Sequence, residues 1–386
     1  MKLRKIMMLL VLSLSLVLVG CGGQEPPKEE AKTEEVKEEV KEEATEEKEE
    51  EKEAVEATDM HIEVVAKGFQ HQFWKAVKQG AEQAAEQYGV TMEFTGPPNE
   101  TAIQEQVQQL SNALNKKPAA VCLAALDTNA SIDLLNQAKS QNIPIIGFDS
   151  GVPDAPEGTV LANASTDNVN AAKLAAEHHF EALKGKIEAA TPEAPVRIGV
   201  VSQEANSQSI TDRTSGYIDK MVELAGGLDN VKDKIAVIGH DKFTSGVAEG
   251  EAVVIIELRI PAQVNDADGQ TQAQTLLNKE DLIGIYGSNE FGAKSIVNAD
   301  NAVGGKIGKD GIIAVGFDSG EIQMDAIRNE KLLGSVTQDP VQIGLKAVEL
   351  AVKAAKGEAV EDVDTGARWY DATNIEDPEI APLLYK

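Results

Sequence analysis

Gly147-Phe148-Asp149-Ser150-Gly151 occurs again, letter for letter, as Gly316-Phe317-Asp318-Ser319-Gly320. Each copy follows a short apolar run, Ile143-Pro144-Ile145-Ile146 in the first case and Ile312-Ile313-Ala314-Val315 in the second. Runs of that length, rich in β-branched residues, read as buried parallel strands. Each aspartate then stands at the carboxyl end of a strand, where the chain breaks into a glycine turn. Ligands of open α/β sheets bind in the crevice outside those strand ends. One such carboxylate in each half of the chain predicts two similar α/β halves whose mouths face each other across a polar, hydroxylated ligand. The competing reading is a strand-to-turn sequence that arose twice.

The texture of the chain from Met60 onward agrees with an α/β fold, because strand-like and helix-like runs alternate. Strands are predicted at His61 to Ala66, Val90 to Phe94, Ala119 to Leu126, Ile143 to Phe148 and Thr159 to Ala164. The intervening helices are Phe73 to Tyr88, Thr101 to Asn115 and Ala130 to Gln141, and a further helix, Asn170 to Leu183, follows. After a Pro-containing linker at Ala189 to Pro195 the cycle restarts with a strand at Val196 to Val201 and a helix at Thr211 to Leu224. Later elements are a helix at Thr271 to Leu277, a strand at Leu282 to Tyr286, a helix at Phe291 to Asn298 and the second repeat strand. The helix Glu321 to Asn329, the strand Leu332 to Val336 and the strongly periodic helix Val341 to Lys356 follow. Lys234 to Gly239 and Glu251 to Ile260 read as an antiparallel pair or as a strand plus an extension. Asp364 to Tyr370 reads as extended.

The 386 residues carry a formal charge of -28 and only two cysteines, Cys21 and Cys122. Nucleic acid and anionic membrane surfaces need clustered Lys and Arg, so neither is an expected partner. A disulfide framework is excluded. Lys2, Arg4 and Lys5 precede an apolar core, Ile6 to Leu18, that is short for a membrane span. The following Leu18-Val19-Gly20-Cys21-Gly22 resembles the bacterial lipobox, which implies cleavage and a lipid on Cys21; the alternative is an ordinary signal peptide with a chance cysteine. Between Gln24 and Thr58 there are sixteen Glu and six Lys and no aromatic residue. Such a tract buries no core. As a tether it reaches roughly 50 Å if helical and roughly 120 Å if extended.

Enzyme chemistry finds little support. G-x-S-x-G, a Walker loop and H-E-x-x-H are all missing. Gly304, Gly305, Gly308 and Gly311 follow no predicted strand. His178 and His179 lie about 100° apart on a predicted helix and cannot share a metal; one is expected exposed and the other packed. Cys122 sits in an apolar strand, as a core residue does. A glycosidase pair made of Asp149 and Asp318 lacks any supporting group. No cofactor and no metal is expected.

Over about Met60 to Tyr370 the chain resembles the type I periplasmic sugar-binding proteins of ABC importers, in the ribose- and galactose-binding branch. The resemblance implies two doubly wound parallel-sheet domains joined by three hinge crossings. It divides the chain into a signal peptide (1–20), an acidic linker (21–59), an N-terminal lobe (60–166 with 339–362) and a C-terminal lobe (167–338 with part of 363–386). It implies a monomer that binds a pentose or hexose, delivers it to an ABC permease and is held to the outer face of a Gram-positive membrane by the lipid on Cys21. The ligand-binding residues that it implies begin with the stretch Phe69-Gln70-His71-Gln72-Phe73-Trp74, where aromatic rings meet sugar C–H faces and a polar rim reads hydroxyls. One of the neighbours Phe73 and Trp74 is expected to face ligand, with core packing as the alternative. The set continues with Asp149, Arg213, Asn289, Asp318 and Gln338, and with Asn265 where the family carries a closing aromatic. Thr166-Asp167-Asn168 resembles the family's hinge. Ala124-Ala125 and Ser150 depart from the ribose binder, which speaks against ribose itself. Two alternatives differ in class. One is the sensory input of a membrane signalling system, including recognition of a furanose-type quorum signal. The other is a transcriptional regulator, disfavoured by the secretion signal and the lack of a helix-turn-helix.

Overall fold

A computed structural model describes residues 59–69 and 71–385. The signal-peptide, lipobox and linker expectations, with Cys21, and the expectation for Gln70 lie outside the described residues. The first half runs β1 (His61–Val65), α1 (Phe73–Tyr88), β2 (Thr91–Thr95), α2 (Ile103–Asn115), β3 (Ala120–Leu123), α3 (Ile132–Ser140), β4 (Ile145–Phe148) and β5 (Ala162–Ser165). The second runs α4 (Asn168–Glu188), β6 (Val196–Val201), α5 (Gln208–Gly226), β7 (Ile235–Ile238), β8 (Ser245–Gly246), β9 (Val254–Arg259), α6 (Asp266–Leu277), β10 (Leu282–Gly287), α7 (Glu290–Val303), β11 (Ile313–Phe317), α8 (Glu321–Arg328) and β12 (Gly334–Gln338). Helix α9 (Pro340–Ala355) and the short strands β13 (Val363–Asp364) and β14 (Ala367–Tyr370) follow.

The strands form two sheets, in the orders β13-β5-β4-β3-β1-β2 and β14-β12-β11-β10-β6-β9-β7-β8. The first is parallel throughout. In the second only the edge strands β8 and β14 run antiparallel. Helices cover both faces of each sheet, so β4 and β11 are buried along their whole length. That two-sided burial is why they read as unbroken apolar runs. Strand order reverses between β1 and β3 and again between β6 and β10, and a crevice opens beyond the strand ends at such a switch point.

Three connections pass between the lobes: β5 to α4, β12 to α9 and β13 to β14. They are tied together, since Asp167 N donates to Asp364 Oδ1 at 3.1 Å and Thr365 N to Ser165 O at 3.0 Å. Two crossings end directly on helix caps: Asp167 accepts from Asn170 N at 3.0 Å and Asp339 from Gln342 N at 2.9 Å. The capping carboxylates satisfy amides that a helix start leaves without partners.

The stretch between β7 and β9 corrects one expectation. These two strands pair in parallel, not as an antiparallel hairpin. The two-residue β8 makes the antiparallel return on the outer edge of β7. The chain then crosses back, and β9 inserts between β7 and β6. Helix α6 also begins five residues before the predicted start, at Asp266. His179 is buried, bonded to Tyr217 Oη at 2.6 Å and Ile313 O at 3.1 Å. One of the pair was expected exposed, but His178 is half-buried and stacks on Trp369 with centroids 4.0 Å apart.

Helices α1 and α9 pack backbone to backbone. A Cβ at Gly80 would overlap the Val341 carbonyl, and one at Gly344 would overlap that of Val77. Gly80→Ala is therefore expected to lower stability by about 1–3 kcal/mol, the range for overpacking, read as a reduced urea midpoint.

Candidate functional site

The repeated pentapeptide ends β4 and β11 in the same way. Asp149 has φ +54° and Asp318 φ +70°. Aspartate is among the few non-glycine residues that enter this left-handed region readily, and such residues gather at functional sites. Each turn is pinned by its amide to the next strand: Asp149 N donates to Ala164 O at 3.1 Å and Asp318 N to Val336 O at 2.7 Å. The leading glycines leave room for neighbouring carboxamides, because a Cβ at Gly147 would displace the Asn163 side chain and one at Gly316 that of Gln323.

Both aspartates border one cavity between the lobes, together with His71, Phe73, Trp74, Arg213, Asn289 and Gln338. Phe73 and Trp74 both line it, although only one was expected to. Their rings meet edge to face at 5.0 Å, and both also belong to the first lobe's core. Phe69 and Asn265 do not line it. Phe69 is 44 % exposed and leans on Phe94 of β2, with centroids 5.9 Å apart. Asn265 caps α6, accepting from Asp268 N at 2.9 Å, so its side chain is used locally.

Four further lining residues escaped sequence reading: Lys67, Glu100, Ile210 and Glu290. Each has a simple address. Lys67 lies just past β1, Glu100 past β2 and Glu290 beside Asn289 past β10. Ile210 sits one turn before Arg213 on α5, on the same helix face. Scanning the loop after every parallel strand would have found the first three.

The polar groups form a network across the cleft. Glu100 accepts from Trp74 Nε1 at 2.7 Å and from Gln203 Nε2 of the second lobe at 2.9 Å. Gln203 Oε1 in turn accepts from Asn289 Nδ2 at 2.9 Å. Burial opposes ionisation of Glu100, but Lys67, His71 and these two donors outweigh it and hold the carboxyl at about 2. Lys67 Nζ reaches Ser209 Oγ at 3.2 Å and stands 3.7 Å from Asp149 Oδ2. Burial would lower its pKa, yet Glu100 and Asp149 raise it above the ordinary lysine value.

In the second lobe, Arg213 donates to Asp318 Oδ2 at 3.0 Å and to Asn168 Oδ1 at 2.7 Å, with its guanidinium 4.2 Å over the Phe317 ring. Asp318 Oδ1 accepts from Gln338 Nε2 at 2.6 Å. His71 Nδ1 faces Glu290 Oε2 across the cleft at 3.6 Å. Burial pulls the His71 pKa down, but Glu290 and Glu100 raise it past the usual imidazole value. For Asp149, burial dominates over Lys67 and Arg213, so its pKa is raised. The two aspartates are thus unequal: Asp318 is held by protein donors, while Asp149 Oδ2 accepts no hydrogen bond.

Two parallel α/β lobes, three crossings and a polar cavity shut between their strand ends define a two-lobed binding protein of the type I topology. The chain belongs to the family described as periplasmic binding protein domain, whose model matches residues 62–359. It is 23 % identical over 303 residues to the ribose import binding protein of Escherichia coli strain K12, covering 78 % of this chain and 86 % of that one. It is 22 % identical over 305 residues to the D-allose-binding periplasmic protein of the same strain, covering 78 % of this chain and 86 % of that one. Among solved structures, an ABC transporter, LacI family transcriptional regulator from Brachyspira murdochii is 41 % identical, with a TM-score of 0.70, covering 85 % of this chain and 99 % of that one. An ABC transporter solute-binding protein from Agrobacterium vitis with bound D-fucose is 27 % identical, with a TM-score of 0.68, covering 84 % of this chain and 100 % of that one.

The depressed Glu100 pKa has a definite sign. The group contributes stability above its unfolded value of 4.5 and loses it as pH falls toward about 2. Glu100→Gln is expected to lower stability at neutral pH and to flatten the fall across that acid window. Urea midpoints measured against pH check both.

Proposed function

We propose that this chain is the extracytoplasmic solute-binding component of an ABC importer and that it takes a monosaccharide, pentose or hexose, between its lobes. The carrying observation is the composition of the closed cavity: the aromatic pair Phe73 and Trp74 on one side, and Asp149, Arg213, Asp318 and Gln338 around it. Apolar ring faces suit the C–H surfaces of a sugar, and fixed polar groups suit its hydroxyls. Side chains of both lobes crowd this cavity, which favours one sugar ring over an oligosaccharide.

Binding and closure are one equilibrium in this reading. A sugar docked on one lobe offers its remaining hydroxyls to the other and shifts the population toward the closed form. Asp149 accepts hydroxyl hydrogens, and Arg213 donates to ring or hydroxyl oxygens. The closed monomer is then recognised by a membrane permease. Cys21 carries the lipid, and the acidic tract spaces the lobes from the bilayer.

Titration calorimetry against a panel of pentoses and hexoses tests the site. Asp149→Ala and Asp318→Ala should each weaken binding of the best sugar by about 1.5–3 kcal/mol, the range for hydrogen bonds to charged groups. Unchanged affinity in both variants would place the site elsewhere. Deleting residues 24–58 should leave affinity unaltered, and Cys21→Ser should move the protein from the membrane fraction to the medium.

A further inference from the structure

Two carboxylates of the cleft, Asp149 and Glu290, each keep one buried oxygen without a hydrogen bond. Glu290 faces His71 at 3.6 Å, and only Asp149 of the two also borders the hinge. Asp149 is 3 % exposed, and the oxygen left without a donor is Oδ2. The nearest cation is Lys67 Nζ at 3.7 Å, which donates to Ser209 at 3.2 Å and Ser207 at 3.5 Å and also faces Glu100 at 3.6 Å. Glu100 and Asp318, by contrast, each accept two side-chain donors.

Asp149 also borders a second cavity, of about 230 Å³, on the hinge side of the cleft. Asp167, Asp212 and Asp362 line that cavity with it, and among the described residues neither Lys nor Arg lines it. Asp149 therefore stands as the wall between the cleft and a polar chamber whose charged lining, among the described residues, is acidic. A buried carboxylate left without a donor is costly, and the cost is relieved most by a group that brings both charge and hydrogens. A hydroxyl offers one hydrogen and no charge, whereas an ammonium offers three hydrogens and a full positive charge.

We propose that the solute is an amine-bearing sugar whose ammonium group seats against Asp149, at the junction of the cleft and the acidic hinge cavity. This rests on the reading of the cleft as a sugar site and adds to it the charge of the ligand. The ring lies between Phe73 and Trp74 on one side and Arg213 on the other, and the amino substituent points to the hinge. No covalent step is involved.

Calorimetry on the wild-type protein compares D-glucosamine, D-galactosamine and D-mannosamine with D-glucose, D-galactose and D-mannose and with the three N-acetyl derivatives. At a pH where the amine is protonated, at least one amino sugar should bind about tenfold or more tighter than its hydroxyl parent, a difference of about 1.4 kcal/mol. Its N-acetyl derivative should lose that advantage, and so should the amine above its own pKa. Asp149→Asn should abolish the preference while weakening the parent sugar less. Parent sugars that bind as tightly as the amines overturn the proposal and leave the sugar-binding reading standing. An Asp149→Asn variant that weakens both classes equally also overturns it. Failure of all nine sugars overturns the proposal and counts against the sugar-binding reading as well.

Discussion

The structure depends on matching carboxylates that closure takes out of water. Isolated buried charges cost several kcal/mol each even after relaxation, so they persist only with partners. Here the partners come from across the gap. Glu100 of the first lobe is satisfied by Gln203 of the second, and Lys67 of the first by Ser207 and Ser209 of the second. His71 and Glu290 face each other in the same sense. Each lobe alone would leave these groups to solvent. The polar network thus stabilises one relative placement of the lobes rather than either lobe.

The repeated pentapeptide shows how one local solution acquires two jobs. In both copies the aspartate adopts a left-handed turn and its amide binds the neighbouring strand. The serines then diverge. Ser150 Oγ accepts from Ser209 N of the opposite lobe at 3.3 Å. Ser319 Oγ accepts from Tyr385 N at 3.1 Å, and the Tyr385 ring packs on Phe73 of the first lobe at 5.9 Å. Each copy therefore also helps bridge the cleft, one directly and one through the C-terminal tail. That tail had no readable pattern, because its ordering comes from Ser319 and Phe73, far away in sequence.

Legibility followed the range of the forces involved. Strands such as β4 and β11 were visible because burial on both faces writes itself into consecutive residues. Helix α6 began before its apolar positions do, since a capping Asn265 and an acidic first turn start it. The parallel pairing of β7 and β9 was hidden because two nearby strands ordinarily form a hairpin, and the return strand β8 is only two residues long. Eight of the eleven ligand-binding expectations fall on the cavity. Lys67 and Glu100 were missed for a physical reason. A Lys or Glu in a loop is normally solvated, and these two are bonded to partners as far as 142 and 103 positions away.

The hinge explains how such a network can open. All three crossings are short, and two of them lead into a helix through an aspartate cap. A capped helix start keeps its own hydrogen bonds when the preceding residues rotate, so the change in dihedral angle concentrates in the few crossing residues. The bonds between crossings tie them to one another: Thr365 N to Ser165 O joins the ends of β13 and β5, and Asp167 N to Asp364 joins the α4 cap to β13. Opening therefore breaks the contacts across the cleft while sparing the sheets. The charges freed by opening are then rehydrated, which offsets much of the loss. A solute that replaces that water at Asp149 and Arg213 adds its contacts to the closed side of the equilibrium alone, and so shifts the population toward closure.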